Sequence, residues 1–198
     1  MSQEFFPDHK VADFISRRWS PHAFDENNRV TKEQMMSLLE AARWAPSAYN
    51  EQPWRFLVAV KEGDEKVFDE MLDCLMDLNQ AWAFRASALL ILLVRRRFAH
   101  NGKENPWAEH DCGLALENLM LQAFAQGLVT HPMTGFYAEK VKERYNLPQD
   151  CEPLVAVAVG YLGSPELLSG DKKRLELEPR ERRPVADFAA FVPDRLKG

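Results

Sequence analysis

The chain alternates between segments in which apolar residues recur every three or four positions and short runs that are apolar throughout. The first pattern predicts amphipathic helices, and the second, where β-branched and aromatic residues dominate, predicts buried strands. The predicted elements are, in chain order, helices over 10–18 and 31–45, a strand over 54–60, a helix over 65–79, a strand over 88–94, a helix over 109–126 and a strand over 154–161. Because helices and strands do not alternate regularly, we expect a mixed α and β fold rather than repeated strand–helix–strand units.

Local signals mark the ends of several predicted elements. Thr31, followed three residues later by Gln34, has the pattern of a capping box at a helix start. Pro21 ends the first helix, since the residue before a proline is kept out of helical backbone. Gly127 is well placed as the C-cap of the long helix. These signals support the stated bounds.

The predicted helix over 109–126 is apolar over most of its circumference. Its large apolar residues, which face several directions, are Leu114, Leu116, Leu119, Met120, Leu121 and Phe124. A helix of this kind is buried either in a large core or against a partner. In a chain of 198 residues the second option is favoured, so we expect a homodimer.

Composition and charge narrow the class of protein. Of the 198 residues, 46% are hydrophobic and 28% are charged, which is typical of a globular protein and argues against disorder. The formal net charge of -5 argues against nucleic acid or an anionic membrane surface as a partner. The longest apolar run, 86–94, is far shorter than the ~20 residues of a membrane span, and the first ten residues lack a secretory pattern. We expect one cytoplasmic domain over 1–198.

The residue types that carry metal or nucleophilic chemistry do not form recognisable motifs. The five histidines form neither HxxxH nor HExxH, and the three cysteines are widely spaced. There is no GxSxG, and no GxGxxG follows the first predicted strand, so we do not expect a dinucleotide-binding Rossmann fold. His110-Asp111 is a pair of interest, although a structural hydrogen bond is its more common role. We expect no metal site, and no motif indicates a nucleophilic side chain.

Two separated segments carry side chains that suit the binding of a ligand. In SRRWSPHAF (16–24), two arginines beside a serine suit a phosphate, although arginines also favour the C-terminal end of a helix dipole. In APSAYNEQPW (45–54), Ser47, Asn50 and Gln52 lie between two prolines. They suit the edge of a heteroaromatic ring, although an ordinary helix-to-strand turn has the same composition.

Two further clusters of arginine are weaker signals. The segment PRERRP (179–184) is by itself typical of a solvated tail of mixed charge. Arg95, Arg96 and Arg97 directly follow a predicted strand, where an exposed loop explains them. Neither cluster indicates a site on its own.

Taken together, these segments resemble the nitroreductase family of FMN-dependent oxidoreductases. The likeness covers nearly the whole chain and rests on four blocks in the family's order, namely RRWSPHAFD (17–25), AARWAPSAYNEQPWRF (41–56), HDCGLALENLMLQAFAQGL with HPMTGF (110–136), and VAVGYLG with PRERRP (157–184). The resemblance implies an α+β fold in which a mixed central β-sheet is flanked by helices. It also implies an intertwined homodimer with FMN at the subunit interface, which agrees with the apolar long helix.

The resemblance assigns cofactor-binding positions residue by residue. Arg18 and Ser20 match positions that hold the FMN phosphate and ribityl chain, and Arg182, or alternatively Arg180, matches a C-terminal phosphate ligand. Asn79 matches a side chain at the pyrimidine edge of the ring. The full set of expected cofactor-binding residues is Arg17, Arg18, Trp19, Ser20, His22, Pro46, Ser47, Asn50, Gln52, Asn79, Pro132, Met133, Thr134, Gly135, Arg180 and Arg182.

Two of these segments are expected to lie against the ring itself. Ser47 and Asn50 match a loop that is often supplied by the other subunit. The turn 132–136 matches the segment whose backbone approaches flavin N5. A glycine at position 135 makes physical sense there, since close approach to a flat cofactor leaves no room for a side chain.

Two residues depart from the family pattern near the flavin. His22 stands where the family often has Arg or Lys beside N1 and O2, an edge that becomes negative on reduction. A histidine is a cation there only when protonated, and its ordinary pKa is ~6.5. We therefore expect an unusually pH-dependent flavin potential. Trp82 stands where some members have Lys, which predicts a more aromatic pocket on the re face.

The resemblance implies an oxidoreductase that works by a ping-pong cycle, with NADPH or NADH as the reductant and a small-molecule electron acceptor such as a nitroaromatic or a quinone. The cofactor carries the chemistry in such an enzyme, at flavin N5, so the resemblance implies that no side chain is catalytic. Three alternatives stay open: an oxygen-dependent or dehalogenating relative, a flavin-binding protein without NAD(P)H turnover, and a dimer whose FMN site has decayed. Arg95–Arg97 as a contact for the 2′-phosphate of NADPH is a further alternative.

Overall fold

The computed structural model describes residues 7–191, so the ends of the range 1–198 expected to form one domain lie outside the described residues. Within 7–191 there are seven α-helices and five strands. The helices are α1 (Asp13–Arg17), α2 (Lys32–Arg43), α3 (Glu65–Leu72), α4 (Asp77–Ala83), α5 (Ala108–Ala125), α6 (Ala138–Arg144) and α7 (Gly170–Leu177). The strands are β1 (Phe24–Asp25), β2 (Trp54–Val60), β3 (Ala88–Arg95), β4 (Val129–Met133) and β5 (Cys151–Leu162).

The longest strand, β5, organises the sheet. It pairs with β3 along one side and with β4 and then β1 along the other, while β2 pairs with the far side of β3. All four pairings are antiparallel. The mixed sheet expected from the resemblance is therefore not present within the described residues of one chain, because β3 and β5 both run opposite to each of their neighbours.

Hydrophobic cores cover both faces of this sheet. Leu90 and Leu92 of β3 face the first core, which contains α2 and α5, whereas Leu89 and Ile91 face the second core, which contains α3 and the end of α4. The fully apolar run of β3 follows from burial on both sides. The central helix α5 therefore packs one side against the sheet and leaves the other side toward solvent.

One predicted helix is wrong in its extent. The segment 65–79 is divided into α3 and α4 rather than being continuous. The backbone between them leaves the helix because Leu75 forms a β-bridge with Phe136, and the Met76 N–H donates to Gly135 O at 3.0 Å. The residues between α3 and α4 therefore bind the turn 134–136, and they place the start of α4 beside that turn.

Candidate functional site

Arg18 lies just after α1 with its guanidinium group against α5. Its Nε atom is 3.6 Å from Glu117 Oε1, and its Nη1 atom is buried with no hydrogen-bond partner among the described residues. Arg17 places its guanidinium group over the ring of Phe124, 6.0 Å from the centroid. A buried guanidinium nitrogen without an acceptor is costly, since guanidinium groups only donate. Arg18 therefore has an unused donor for a ligand oxygen.

A cavity of about 230 Å³ lies beside the two arginines, between the end of α1 and the C-terminal half of α5. Its lining consists of Arg17, Arg18, Trp19, Met120, Phe124, Gly127, Leu128, Val129, Thr130 and Leu162. Thr130 Oγ1, on β4, is buried and also has no partner among the described residues. A ligand with apolar surface and hydrogen-bonding oxygens suits this cavity. Sequence reasoning did not find Thr130, because a threonine in a short strand carries no functional signal.

The segment around His22 is fixed by a buried carboxylate on the C-terminal helix. Glu176, in α7, is 3% exposed. Its Oε2 accepts the backbone N–H of His22 at 2.8 Å, and its Oε1 accepts that of Ala23 at 3.1 Å. The His22 Nδ1 atom lies 3.4 Å from the same Oε2. The conformation at positions 22 and 23 therefore depends on Glu176, a residue that lies before the tail segment 179–184 and that no sequence motif indicates.

Aromatic rings surround the His22 imidazole. The centroid of the Trp82 ring is 5.0 Å away, and that of His131 is 4.6 Å away. Trp82 is only 1% exposed, so within the described residues it belongs to the core and does not form an open pocket wall. His131 Nδ1 donates to Pro21 O at 2.9 Å. Burial lowers the pKa of His131 to about 4, and the nearby His22 and Lys172 contribute to the lowering, so its ring is neutral at pH 7.

Ser47, Asn50 and Gln52 lie together on the loop between α2 and β2. The Gln52 N–H donates to Ser47 Oγ at 3.0 Å, which closes the loop on itself. The Ala48 N–H donates to Oδ2 of Asp111 at 2.9 Å. A second cavity of about 320 Å³ adjoins the loop, and it is lined by Pro46, Ser47, Ala48, Trp107, His110, Asp111 and Leu114.

Asn79 and Gly135 are in direct contact. Asn79, in α4, donates from Nδ2 to Gly135 O at 2.9 Å. A Cβ atom at position 135 would lie 2.5 Å from that Nδ2 atom, so the arrangement requires glycine. Of the rest of the turn, Pro132 and Met133 belong to β4, and Thr134 is exposed. Asn79 and the turn 132–136, which were expected at the flavin separately, are thus in contact, and the residue that crowds Gly135 is Asn79.

The two C-terminal arginines have different surroundings. Arg180 donates from Nη1 to Arg18 O at 2.8 Å and from Nη2 to Ser16 O at 2.7 Å. Burial, together with the charges of Arg182 and Arg18, lowers the pKa of the Arg180 guanidinium. Arg182 is exposed and donates to Glu181 O at 2.7 Å. Arg180 therefore fastens the C-terminal segment to the backbone around Arg18, and half-buried Ser20 lies just beyond.

The expected site residues meet α5 at two distant places. The Arg18 cavity includes Met120 and Phe124, whereas the loop 46–52 is bound by Asp111. Phe124 lies thirteen residues after Asp111 in α5, a separation of about 20 Å at ~1.5 Å per residue. In one chain the two groups therefore contact different stretches of α5.

The arginine run after β3 is occupied by local partners. Arg95 lies 2.7 Å from Asp150, and Arg96 lies 2.6 Å from Glu109. Arg97 donates to the Gly102 carbonyl at 3.0 Å. These contacts support the interpretation as a loop rather than as a phosphate site. Among residues 7–191, no group of side chains could hold a metal ion, and no helix is both long and apolar enough to cross a membrane.

Known proteins share this sequence pattern. A sequence model described as the nitroreductase family matches residues 15–161. Protein DrgA of Synechocystis sp. is 33% identical over 197 residues, which is 86% of this chain and 87% of that protein. The oxygen-insensitive NAD(P)H nitroreductase of Salmonella typhimurium is 28% identical over 203 residues, which is 82% of this chain and 94% of that protein.

Solved structures share the fold. The crystal structure of an oxidoreductase containing FMN superimposes with a TM-score of 0.91 at 34% identity, covering 100% of this chain and 99% of that one. A nitroreductase-like protein from Streptococcus mutans has a TM-score of 0.72 at 23% identity, covering 91% and 97%. These matches confirm the α+β fold in which helices flank a central sheet.

Proposed function

Because this chain belongs to the nitroreductase family, we propose that it is an FMN-dependent NAD(P)H oxidoreductase whose acceptor is a small molecule such as a nitroaromatic or a quinone. The observation that carries the proposal is one cavity in which two buried polar atoms, Arg18 Nη1 and Thr130 Oγ1, have no partner among the described residues. A similar structure is described as containing FMN, and the Salmonella relative is described as an NAD(P)H nitroreductase. Both descriptions support the proposal.

The donors at this cavity fit the polar end of FMN. The Arg18 guanidinium matches the charge and geometry of a phosphate, and the Thr130 hydroxyl suits a ribityl hydroxyl. Arg180 is committed to two backbone carbonyls, so we assign the C-terminal phosphate contact to exposed Arg182. Arg17, Trp19 and Ser20 complete this end of the proposed site.

The ring end is assigned to three short segments. Asn79 contacts the turn 132–135 at Gly135. Asn79 would bind the polar edge of the ring, and the turn would lie beside N5. The loop over 46–52, with Ser47, Asn50 and Gln52, would cover the ring from the partner subunit. These residues would position the cofactor and exclude water, and none of them needs to act as a nucleophile.

We propose that the enzyme is a homodimer with α5 at its centre. In one chain the Arg18 cavity and the loop 46–52 lie at opposite ends of α5. Two antiparallel copies of this helix would bring the Arg18 end of one subunit to the Asp111 end of the other. The outward side of α5 also borders a groove whose lining, Phe14, Ala41, Trp44, Asn118, Leu121, Gln122 and Ala125, is largely apolar.

When bound, FMN would supply hydride chemistry, accepting a hydride from NAD(P)H and transferring it to the acceptor in a second half-reaction of a ping-pong cycle. This chain's contribution would be orientation and charge. The His22 side chain is assigned to the N1 and O2 edge, where it would carry a cation only when protonated. Equal slopes of flavin potential against pH for the wild type and His22→Lys would contradict this role.

The first test is the visible spectrum of the purified protein, followed by anaerobic addition of NADPH and then of NADH. We expect a flavin spectrum that bleaches with at least one nucleotide and recovers when a quinone or nitroarene is added. A flavin spectrum that neither nucleotide bleaches would contradict NAD(P)H turnover and favour a carrier or an oxygen-dependent relative. A protein that cannot be loaded with FMN would contradict the site itself.

The phosphate assignment is tested by Arg18→Ala. Loss of one charge-assisted contact costs about 1.5–3 kcal/mol, so the FMN dissociation constant should rise by roughly 10- to 150-fold. Arg29→Ala is the matched control, because Arg29 is an exposed arginine whose ion-pair partner is Glu65 on α3. An FMN affinity that is equal in both variants would remove Arg18 from the site.

The dimer is tested by Leu121→Glu, which places a charge on the outward side of α5. We expect light scattering after size exclusion to show a monomer, and FMN affinity to fall with it. Leu78→Glu is the control, because Leu78 is a 78% exposed leucine on α4. A dimeric Leu121→Glu variant would contradict the proposed interface.

A further inference from the structure

The loop between α2 and β2 has an unfavourable backbone conformation at three non-glycine residues. Tyr49 and Asn50 each have φ 54°, and Gln52 has φ 51°. In this left-handed region the Cβ atom crowds the backbone, and although asparagine tolerates it, tyrosine and glutamine rarely adopt it. Such a conformation persists only where the surrounding structure holds it in place.

Burial of the loop's own side chains does not explain its conformation. Tyr49 is 85% exposed, and Asn50 is also exposed. The loop is held instead by polar contacts at its two sides. On one side Glu51 accepts the Ala99 N–H at 2.8 Å, and on the other side Asp111 accepts the Ala48 N–H at 2.9 Å.

Asp111 is the buried member of these contacts. It lies in the first turn of α5 and is 3% exposed. Its Oδ2 atom binds the Ala48 N–H, and its Oδ1 atom lies 3.0 Å from the His110 Nδ1 atom. A carboxylate in the first turn of a helix is favoured by the helix dipole and by nearby unsatisfied N–H groups. The longest helix of the fold therefore fixes the carboxylate that binds the loop.

We propose that Asp111 is a positioning residue for cofactor binding: through the Ala48 amide it holds the loop 47–52 in the conformation that presents Ser47 and Asn50 to FMN. This inference rests on the proposed function, which assigns those two side chains to the cofactor. The loop conformation is then present before the cofactor binds, so binding does not have to order it. Asp111 itself is not expected to touch FMN.

The test compares Asp111→Ala and Asp111→Asn with His110→Ala. His110 is the matched control because its side chain is 65% exposed and touches the same carboxylate without contacting the loop amide. Two quantities are measured: amide hydrogen exchange of residues 48–52 in the FMN-free protein, and the FMN dissociation constant. Exchange of β3 amides reports on global stability in the same sample.

For Asp111→Ala we expect at least tenfold faster exchange over 48–52 with unchanged exchange in β3, and at least tenfold weaker FMN binding. Asp111→Asn keeps an accepting oxygen and should restore most of both quantities, and His110→Ala should stay within twofold of the wild type. Unchanged loop exchange would overturn the anchoring role. Faster loop exchange with unchanged FMN affinity would overturn the link to the cofactor.

Two outcomes need a separate measurement. If the wild type itself binds no FMN, the proposed function fails, whereas the exchange data still decide whether Asp111 holds the loop. If Asp111→Ala does not fold, the Ala48 amide proton resonance in Asp111→Asn decides the anchoring. A hydrogen bond to a carboxylate gives a downfield resonance, so an upfield change on loss of the charge is expected, and an unchanged resonance would overturn the proposal.

Discussion

Replacing Glu176 by alanine should loosen the attachment of α7 to the N-terminal segment. The Glu176 carboxylate is 3% exposed and accepts two backbone N–H groups, from His22 at 2.8 Å and from Ala23 at 3.1 Å. These groups belong to a segment 153 or more positions away in the chain. Without the carboxylate, the fully buried Ala23 amide loses its acceptor. The substitution therefore tests whether a polar contact, rather than an apolar face, holds α7.

The magnitude follows from the number and kind of hydrogen bonds. A hydrogen bond to a charged group contributes about 1.5–3 kcal/mol, so losing two of them should lower the free energy of unfolding by about 3–6 kcal/mol. Glu176→Gln keeps one accepting oxygen and should cost roughly half of that. Glu178, on the same segment, has a 46% exposed side chain that pairs with Arg174. Its replacement by alanine should cost less than about 1 kcal/mol.

The assay is urea denaturation followed by tryptophan fluorescence at fixed protein and FMN concentrations, because a bound ligand or partner also shifts apparent stability. We expect the urea concentration at the denaturation midpoint to be highest for Glu178→Ala, lower for Glu176→Gln and lowest for Glu176→Ala. A loss of stability in Glu176→Ala no greater than that in Glu178→Ala would refute the reasoning. It would show that the two buried bonds stabilise the fold no more than a surface ion pair does.

Three other predictions concern pH, thiols and packing. Burial lowers the pKa of His131 to about 4, so as the pH falls the unfolded chain binds a proton at this residue before the folded chain does, and the free energy of unfolding should fall by up to roughly 3 kcal/mol between about pH 6.5 and 4. His131→Asn, which keeps a donor toward Pro21, should show a smaller dependence of stability on pH in urea denaturation. An equal dependence in the variant and the wild type would contradict this prediction. Burial raises the pKa of the three thiols, that of Cys112 to about 12. Ellman's reagent at pH 8 should therefore react slowly with the native protein, whereas in guanidinium it should react with all three thiols. A fast reaction of the native protein would contradict the burial of the thiols. Gly135→Ala should displace the Asn79 side chain, whose Nδ2 atom lies 2.5 Å from the new Cβ, and should weaken FMN binding as much as Asn79→Ala does. If the losses of FMN affinity of the two single variants add up in the double variant, this prediction is wrong.

Elements with strong local signals were predictable from the sequence. The capping box of Thr31 and Gln34 is present, with Thr31 Oγ1 accepting the Gln34 N–H at 3.2 Å. The strands β2 and β3 lie where the β-rich runs predicted them, since these patterns depend only on neighbouring residues and on burial. Gly127, at φ 73°, follows α5 as predicted.

Elements held by distant polar contacts were not predictable. The strand β4 has only five residues, including Pro132, so its alternation is too short to read, and it forms because β5 supplies its partner. The helix α7 has almost no apolar face, and the carboxylate of Glu176 attaches it to the fold. Neither element has the apolar stripe by which helices and strands are recognised in a sequence.

The same reason explains which site residues the sequence missed. Arg18 was found because adjacent arginines beside a serine are a recognisable anion pattern, and the structure leaves its Nη1 atom buried without a partner among the described residues. Thr130 occupies an inward position of a strand, where a single polar residue resembles an ordinary buried hydrogen bond. Asp111 was noted only as a neighbour of His110, a pair that usually makes a structural hydrogen bond, and its contact with the loop was not predicted. Their relevance comes from what lies across from them, a cavity and a loop amide. That information exists only once the chain has folded.

The helix α5 contributes to both parts of the proposed site, and its inward and outward sides have different roles. Its inward side, with Leu119 and Cys112 fully buried, fixes the helix against the sheet. That rigidity lets Asp111 near one end hold a loop in a conformation the loop would not adopt alone, while Phe124 near the other end lines the Arg18 cavity. A change at either end should therefore alter cofactor binding without unfolding the core. In the proposed dimer the two ends of neighbouring α5 helices would form one site, which is why a helix apolar on nearly all sides is compatible with a small domain.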